Sequence, residues 1–374
     1  MKGVFIHFFD LAEHSGISKK ISYQVNAFKN CGVDIDLSYI AIDENGNHSR
    51  LWGDTIIKNY GNNIISKFAK WLSFKELTNA ILANNVDFIY VRSFYNTNPF
   101  LLKMFRSLRK QGVKVVMEFP TYPYDRETKG ASLKYRVIFL ADKIFRNFLK
   151  TSIDRVVTFT DLTEIFGVKT INISNAIDFT QVKVRNPIEK NSGRFNLIGV
   201  AEVHYWHGFD RVIKGMANLM SISNTDVHFH IVGDGFPLDM HNLKSLVNEC
   251  NLNHRVHFYG NLYGAKLDDV FNSAHFAIAS LARHRTGITN IKTLKNREYA
   301  ARGIPFIYSE IDQDFEQMPY ILKASPDDSP IDIQTILDFT KDFSMTPLEI
   351  RKTIESTLSW DIQMKKVVDQ IGMI

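Results

Sequence analysis

A segment in the second half of the chain has the residue types that could bind a diphosphate. A helix is predicted over residues 291–302, and Gly303 with Pro305 would end it. The polar loop ahead of the helix would aim backbone N–H groups and the positive helix end at an anion. We expect this loop to contact phosphate through five residues: Thr286, Gly287, Ile288, Thr289 and Asn290.

Charged side chains of the predicted helix would face the same loop. Lys292, Lys295 and Tyr299 lie three and four residues apart, and Glu298 stands beside them. A cation would neutralise phosphate oxygens, and Glu298 could accept hydrogen bonds from ribose hydroxyls. The alternative for the lysines is a solvated helix face of mixed charge.

Two glycines follow another predicted strand. Residues 231–235 read Ile-Val-Gly-Asp-Gly, so this strand ends in Gly233 and Gly235. Glycine lets the chain turn tightly and lets a ligand approach the backbone closely. We expect both glycines to lie near the ligand, although a strand-to-helix turn can need glycine for steric reasons alone.

The elements that position these residues alternate between strand and helix. The chain has 374 residues, 45% of them hydrophobic, so a disordered or collagen-like protein is excluded and two domains are expected. The alternation predicts parallel βαβ units, and it restarts after residue 180. We therefore predict an α/β fold with two Rossmann-like parallel-sheet domains, residues 1–180 and 195–346, facing each other across a cleft. Residues 181–194 would link them, and a helical segment at 347–374 would pack back toward the first domain.

The cysteine content and the length of the apolar runs indicate in which cellular compartment the protein resides. Cys31 and Cys250 are the only cysteines and form no CxxC motif, so neither a disulfide framework nor a zinc knuckle is indicated. No apolar run approaches the about 18 residues that span a bilayer. We expect a cytoplasmic protein without a transmembrane helix or signal peptide. The net charge of +5 accompanies no nucleic-acid-binding motif, so no nucleic-acid partner is expected.

Three short segments resemble glycosyltransferase family 4, the retaining nucleotide-sugar enzymes of GT-B fold. Residues 298–306, Glu-Tyr-Ala-Ala-Arg-Gly-Ile-Pro-Phe, are similar to that family's Glu-Ala-Met-Ala-x-Gly-x-Pro-Val helix. Residues 175–178 resemble its Asn-Gly-Val-Asp, and residues 256–260 resemble its Val-x-Phe-x-Gly. The order and spacing agree over nearly the whole chain. Four further segments resemble, more narrowly, a bacterial branch of the family that builds capsular or O-antigen polysaccharide. They are residues 118–125, 206–211, 284–287 and 294–299.

The resemblance implies a hexosyltransferase of surface polysaccharide biosynthesis. It would move a hexose from a UDP- or GDP-sugar to a hydroxyl of a lipid-linked oligosaccharide, with the anomeric configuration retained. The helix N-terminus and cations, not a metal cofactor, would meet the charge on the leaving diphosphate. Two alternatives remain: a non-catalytic scaffold of the same fold in a polysaccharide-assembly complex, and a nucleotide-sugar epimerase.

Two departures from the family pattern concern donor binding. The first of the family's paired glutamates is replaced by Asn290, so only Glu298 remains. The family's Arg and Lys before the glycine at 208 are replaced by Glu202 and His207. His207 stays a candidate donor-binding residue. The cations that could replace the missing pair are Arg211, Arg283, Arg285 and Lys295.

Three residues of the first domain are also candidates for the site. Gly16 lies in residues 14–20, which occupy the place of the family's glycine-rich loop near the diphosphate. Glu118 ends a predicted strand, and Asp125 follows in a tyrosine-rich loop. Either carboxylate could orient the acceptor hydroxyl or take its proton, so both are candidate catalytic residues.

Two stretches mix basic and aromatic side chains, residues 134–155 and residues 64–77. A basic amphipathic helix can lie on an anionic membrane surface. A lipid-linked acceptor would give such a contact a reason, and the protein would then be peripheral on the inner face of the plasma membrane. The alternative is an ordinary domain helix with its apolar face in the core and its lysines in water.

Overall fold

The computed structural model describes residues 1–11, 16–125, 133–188 and 193–374. The chain forms two units: Met1–Ser174 with Trp360–Ile374, and Asn175–Ser359. The predicted boundary at residue 180 is therefore displaced. Asn175 belongs with the second unit because its side chain donates to the Lys292 carbonyl at 2.6 Å and its own carbonyl accepts from Arg297 Nε at 2.9 Å. The described part of the predicted linker at 181–194 lies within this unit.

Within the described residues, the first unit is built on a nine-stranded sheet. Its strands are β1 (Lys2–Ile6), β2 (Asp34–Ile42), β3 (His48–Trp52), β4 (Thr55–Gly61), β5 (Phe88–Arg92), β6 (Lys114–Phe119), β7 (Arg155–Thr158), β8 (Glu164–Ile165) and β9 (Val168–Asn172). Their order across the sheet is β4-β3-β2-β1-β5-β6-β7-β9-β8. The central strands pair in parallel, whereas β3 and β4 at one edge and β8 at the other pair antiparallel. The predicted parallel sheet is thus a mixed sheet with a parallel centre.

Helices cover this sheet. They are α1 (Gly16–Asn30), α2 (Ile64–Leu72), α3 (Lys75–Ala83), α4 (Pro99–Lys110) and α5 (Leu133–Phe145), which a 3-10 turn continues at Arg146–Thr151. One hydrophobic core joins Val4 of β1 to Trp71 of α2, Leu101 of α4 and Leu149 of the 3-10 turn, with Phe139 of α5 packed against it. Helices α2, α4 and α5 and the 3-10 turn therefore pack on the same face of the sheet.

The second unit contains, in its described residues, a six-stranded sheet in which all neighbours are parallel. Its strands are β10 (Arg194–Val200), β11 (Asp226–Val232), β12 (Val256–Phe258), β13 (Phe276–Ile278), β14 (Phe306–Tyr308) and β15 (Ile321–Lys323). Its helices are α6 (Phe209–Met220), α7 (Pro237–Glu249), α8 (Ala265–Ser273), α9 (Leu294–Arg302), α10 (Ile333–Asp342) and α11 (Pro347–Glu355). The strand order is β12-β11-β10-β13-β14-β15. The prediction of a second parallel α/β sheet is confirmed.

Helix α9 begins three residues later than the sequence predicts. The Ile291 N–H donates to the Ile311 carbonyl at 3.0 Å, which holds this residue in an extended, strand-like pairing. The side chain of Thr293 then caps the helix by accepting from the Asn296 N–H. Gly303 ends the helix in the left-handed region, with φ of 75°, as its type predicts.

The C-terminal segment is divided between the units. Residues 347–359 belong to the second unit, whereas α12 (Trp360–Gly372) belongs to the first and packs on α1. The Gln363 side chain accepts from the Ser174 N–H at 2.8 Å, and Asn30 donates to Asp361 at 3.0 Å. The segment is therefore two elements in different units rather than one.

In each sheet, the sequence order of the strands changes direction once, between two neighbouring parallel strands. In the second unit β10, β11 and β12 run toward one edge while β13 starts the other half beside β10, and in the first unit β1 and β5 have the same relation. Ligands of open α/β sheets bind at the carboxyl ends of the strands that flank such a reversal. Among the helices of the described residues, none is long and apolar enough to cross a membrane.

Candidate functional site

Three loops meet at the strand reversal of the second unit. They follow β10, β13 and β14, and backbone hydrogen bonds tie them together. The Leu281 N–H donates to the His207 carbonyl at 3.0 Å, and the Ser309 N–H donates to the Ser280 carbonyl at 3.0 Å. The Ile311 N–H donates to the Thr289 carbonyl at 2.8 Å. Residues 201–208, 279–290 and 309–311 therefore form one framework, and we take it as the candidate site.

His207 is buried in this framework as a neutral imidazole. The backbone N–H of His204 donates to His207 Nδ1 at 3.0 Å, so the ring proton lies on Nε2. Burial lowers the pKa of His207 well below its usual range, and the positive charges of Lys295 and Arg283 lower it further. The imidazole can therefore donate one hydrogen bond through Nε2 while the two cations act at close range.

Lys295 and Arg283 are the two basic side chains that act on His207. Lys295 is the second residue of α9, and its Nζ is buried with no hydrogen-bond partner among the described residues. Burial and the charge of Arg283 hold the pKa of Lys295 well below its usual range, whereas Glu310 opposes that shift. The Arg283 guanidinium lies 5.6 Å from the centre of the Trp206 ring. Two cations with this environment are suited to an anionic ligand.

Glu310 is a site residue that the sequence reasoning missed. It is 3% exposed, and in the described part of the chain neither carboxylate oxygen has a hydrogen-bond partner. Burial raises the pKa of Glu310 to about 7, against the charges of Arg283 and Lys295. The sequence did contain a signal for Glu310, because it is a charged residue two positions after a buried strand, where the carboxyl edge of a sheet is expected.

The hydroxyls of Ser280 and Ser309 are two further buried polar groups of these loops. Neither has a hydrogen-bond partner within the described residues. Buried polar groups without partners are uncommon and call for an explanation. Together with Lys295 and Glu310 they form a group of donors and acceptors that suits a ligand bearing both phosphates and hydroxyls.

Arg211 and Arg285 were candidates for phosphate binding, but in the structure both hold neighbouring loops together. Arg211 is 1% exposed and donates to the Ser329 carbonyl at 2.7 Å and to the Leu281 carbonyl. Arg285 donates to both carboxylate oxygens of Asp210, at 3.0 and 2.9 Å, and through Nε to Asp328 at 2.7 Å. Because these donors are already engaged, neither Arg211 nor Arg285 fits the predicted role.

The loop at 286–290 is folded differently from the prediction. The Gly287 N–H donates to the His284 carbonyl at 2.9 Å, and the Ile288 N–H donates to the Arg283 carbonyl at 3.2 Å. The Thr286 hydroxyl donates to the same Arg283 carbonyl at 2.8 Å. These donors close a 3-10 turn at Arg283–Thr286, so they are not the phosphate-facing amides that we expected.

Thr289 and Asn290 lie next to Glu310. Thr289 accepts the Ile311 N–H, and Asn290 pairs with Ile311 in a parallel bridge. The position that carries a glutamate in the resembled family is therefore aligned with the residue after Glu310.

Gly233 and Gly235 have a steric reason that needs no ligand. A Cβ atom on Gly233 would lie 1.8 Å from the Ala201 carbonyl oxygen, and one on Gly235 would lie 2.0 Å from the Val203 carbonyl oxygen. The φ of Gly233, 118°, is also one that other residues rarely adopt. These glycines let the loops after β10 and β11 pack against each other, which is the steric alternative.

Glu298 lies one turn after Lys295 on α9. Its Oε1 accepts from Arg302 Nε at 3.1 Å, and its side chain is 30% exposed. The carboxylate is thus outside the hydrophobic interior, and its predicted contact with ribose stays a prediction. Tyr299, predicted on the same face, is buried, and its hydroxyl donates to the Ile278 carbonyl and accepts from the Val200 N–H.

Comparison with known proteins bears on this site directly. Residues 194–328 match the family model described as Glycosyl transferases group 1. The matched residues lie within the second unit. A search of curated protein sequences finds no match for the chain.

Solved structures extend the likeness to the whole chain. A sucrose-phosphate synthase from Thermosynechococcus elongatus is 15% identical with a TM-score of 0.68, covering 100% of this chain and 99% of that one. The Anabaena protein HepE in complex with UDP-glucose is 12% identical with a TM-score of 0.62, and the lipopolysaccharide outer core galactosyltransferase WaaB is 14% identical with a TM-score of 0.59. HepE matches over 100% of both chains, and WaaB over 99% of this chain and 100% of its own. The fold is GT-B, and the family match supports a glycosyltransferase.

Glu118 of the first unit sits in a satisfied ion cluster of the GT-B fold. It is fully buried, and its Oε2 accepts from Gln24 Nε2 and from the Tyr90 hydroxyl, each at 2.6 Å. Its Oε1 pairs with Arg92 and lies 3.8 Å from Lys20 Nζ. Burial raises the pKa of Glu118, but the charges of Lys20 and Arg92 and the hydrogen bonds outweigh it, so the pKa is below its usual value. This geometry does not fit the predicted catalytic role, because the carboxylate has no exposed oxygen.

Asp125 and Gly16 are more accessible. The Asp125 side chain is 46% exposed and pairs with Arg146 at 3.0 Å. Gly16 is the exposed first residue of α1. His14, quoted with Gly16 in the sequence, lies outside the described residues, and so do residues 126–132 after Asp125. The roles assigned to Asp125 and Gly16 stay predictions.

Proposed function

We propose that the protein is a retaining hexosyltransferase of surface polysaccharide biosynthesis. It takes a hexose from a UDP- or GDP-sugar and transfers it to a hydroxyl of a lipid-linked oligosaccharide. The observation that carries the proposal is the meeting of Arg283, Lys295 and neutral His207 at the strand reversal of a group 1 glycosyl transferase domain. The structural neighbours support the donor and acceptor classes, since HepE is in complex with UDP-glucose and WaaB is a lipopolysaccharide outer core galactosyltransferase.

The site residues stabilise the diphosphate as it leaves the sugar. Negative charge grows on the diphosphate oxygens when the bond to the anomeric carbon breaks, and fixed cations in a buried site stabilise that charge strongly. Arg283 and Lys295 provide the cations, and His207 donates an uncharged hydrogen bond through Nε2. With this charge supplied by side chains, the transfer needs no metal cofactor. Glu298 accepts from the ribose hydroxyls of the nucleotide.

The first unit carries the acceptor. Asp125 is the candidate that orients the acceptor hydroxyl or takes its proton, because its carboxylate is partly exposed while that of Glu118 is enclosed. Retention follows from the resemblance to glycosyltransferase family 4. It is checked by the anomeric coupling constant of the product in proton NMR, where inversion would refute it.

The proposal is tested by nucleotide release. The full chain is incubated with a panel of UDP- and GDP-sugars, with and without a lipid extract, and the released nucleotide is measured. We expect release from one sugar nucleotide only when the acceptor is present. Conversion of the donor sugar without an acceptor would favour the epimerase, and failure to bind UDP or GDP at millimolar concentration would favour the scaffold.

A further inference from the structure

The outward side of α5 and the following 3-10 turn carries an exposed apolar stripe. Its members follow one another at intervals of three and four residues, which places them on one side of a helix. They are Val137 (58% exposed), Leu140 (59%), Ile144 (56%) and Phe148 (49%). The inward side of the same helix packs Ile138, Phe139 and Phe145 on the core. The stripe is therefore additional to the apolar surface that the fold itself uses.

Cations flank the stripe. Arg136, Lys143 and Lys150 are exposed beside it. The single acidic residue of residues 133–151 is Asp142, which is buried and accepts from the Thr97 N–H at 2.9 Å and from the Tyr124 hydroxyl at 2.7 Å. Within residues 133–151, the exposed side chains beside the stripe are thus cationic, and the one carboxylate is buried.

Helix α4 extends this surface. Arg106 of α4 donates to Ser152 at 3.0 Å and to Thr151 at 3.2 Å, which fixes α4 beside the 3-10 turn. Phe100 at the start of α4 is 52% exposed, and Lys103 and Lys110 are exposed on the same helix. The sequence of α4 contains no acidic residue. We call the outward side of α5, the 3-10 turn and α4 the basic apolar face.

Several residues that suggested membrane contact from the sequence are excluded from this face. Lys70 and Trp71 of α2 are 6% and 4% exposed and belong to the interior. Arg146 pairs with Asp125 at 3.0 Å. The contact surface is therefore narrower than the two predicted stretches and lies mainly on α5.

We propose that the basic apolar face docks on an anionic lipid bilayer. Apolar side chains enter the headgroup boundary of a membrane while lysine and arginine meet acidic headgroups, and both parts are needed for stable binding. The positive charge favours an anionic bilayer over a second copy of the chain as the binding partner, because two cationic faces would repel each other. The inference deepens the proposed function, since a lipid-linked acceptor is presented at that surface. Docking itself requires no nucleotide.

The test is sedimentation of the full chain with vesicles. We compare vesicles of phosphatidylcholine with vesicles of phosphatidylcholine mixed with phosphatidylglycerol. The wild type is expected to bind the anionic vesicles and to be released by salt. Leu140→Gln with Ile144→Gln should lower the partition coefficient at least about tenfold, because the buried apolar surface is lost. Arg136→Gln and Lys143→Gln should each lower it about fivefold.

Matched variants in the second unit are the controls. Ile222→Gln with Leu238→Gln changes two side chains that are 81% and 68% exposed, and Lys341→Gln removes an exposed cation. These should bind vesicles like the wild type.

Equal binding to neutral and anionic vesicles, no binding to either, or unchanged binding by the α5 variants would overturn the proposal. So would a dimer in analytical ultracentrifugation that the Leu140 and Ile144 changes dissociate. UDP binding without vesicle binding would sink this inference alone and leave the transferase proposal standing.

Discussion

At the scale of single residues, the environment of each cation decides which can serve a ligand. Arg283 and Arg285 are two positions apart, yet Arg285 is held by Asp210 and Asp328 while Arg283 acts on His207 and Glu310. Residue type alone cannot separate them, because the carboxylates that hold Arg285 lie 75 and 43 residues away in the sequence. The proposed donor site therefore depends on contacts between loops that no motif in the sequence encodes.

The predicted ribose contact of Glu298 can be separated from its contact with Arg302. Glu298→Ala should abolish transfer and leave the melting temperature nearly unchanged, because an i,i+4 ion pair on a helix stabilises by only about 0.3–0.5 kcal/mol and the Glu298 carboxylate is partly exposed. Arg302 also keeps its 2.7 Å bond to Asp268. The readouts are nucleotide release and thermal unfolding.

Glu355→Ala is the control, because Glu355 makes the same i,i+4 contact with Arg351 at 2.7 Å. It should keep full activity. Wild-type turnover by Glu298→Ala would remove Glu298 from the site.

At the scale of elements, the ion cluster around Glu118 joins α1 to the parallel centre of the first sheet. Lys20 and Gln24 lie on α1, Tyr90 and Arg92 lie on β5, and Glu118 lies on β6. A buried carboxylate with several partners stabilises because removing it leaves buried charges unpaired. We therefore expect Glu118 to matter for folding and Asp125 for the reaction.

Substitution of the two carboxylates should give opposite patterns. Glu118→Gln should lower the free energy of unfolding by about 3–5 kcal/mol, the usual cost of breaking a buried ion pair. Asp125→Asn should change it by less than about 0.5 kcal/mol, as expected of a surface substitution, and lower turnover. Urea unfolding and nucleotide release measure these effects. A stable but inactive Glu118→Gln protein would restore Glu118 as a catalytic residue.

The order of strands and helices could be predicted from the sequence, whereas the assignment of side chains could not. Alternating apolar runs and glycine stops predicted two α/β sheets and the strand ends that hold the site. The prediction failed where a contact distant in sequence decides the outcome. Ile311 delays the start of α9, and the Ala201 and Val203 carbonyls explain Gly233 and Gly235. Glu310 was missed because its importance arises from burial beside Lys295, which a linear pattern does not reveal.

At the scale of the whole molecule, buried or half-buried histidines with lowered pKa values occur in both units and should make the fold sensitive to acid. Burial lowers the pKa of His7 in the first unit to about 3, and that of His230 and His275 in the second unit to about 4. An unfolded histidine titrates near 6.5, so the unfolded state binds more protons below that pH and stability falls on acidification. Glu310, with its pKa raised to about 7, acts in the opposite direction between its unfolded and folded pKa values.

Stability should therefore fall between pH 7 and pH 5. For His7 alone the loss is about 2 kcal/mol over this interval. Urea midpoints at the two pH values measure it. His7→Gln should flatten the dependence, whereas His241→Gln, on the exposed surface of α7, should not. A stability that rises toward pH 5 would contradict the assignment of neutral buried histidines.

The central claim is that Lys295 and Arg283 bind the diphosphate of a nucleotide sugar. Calorimetric titration of the full chain with UDP and with GDP tests it most directly. We predict that one nucleotide binds the wild type. Lys295→Met should weaken that binding about 10- to 100-fold, the range expected for losing a charge-assisted hydrogen bond. Lys266→Met, at an exposed lysine of α8, should bind like the wild type. No heat with either nucleotide at millimolar concentration, or equal affinity for wild type and Lys295→Met, would contradict the account.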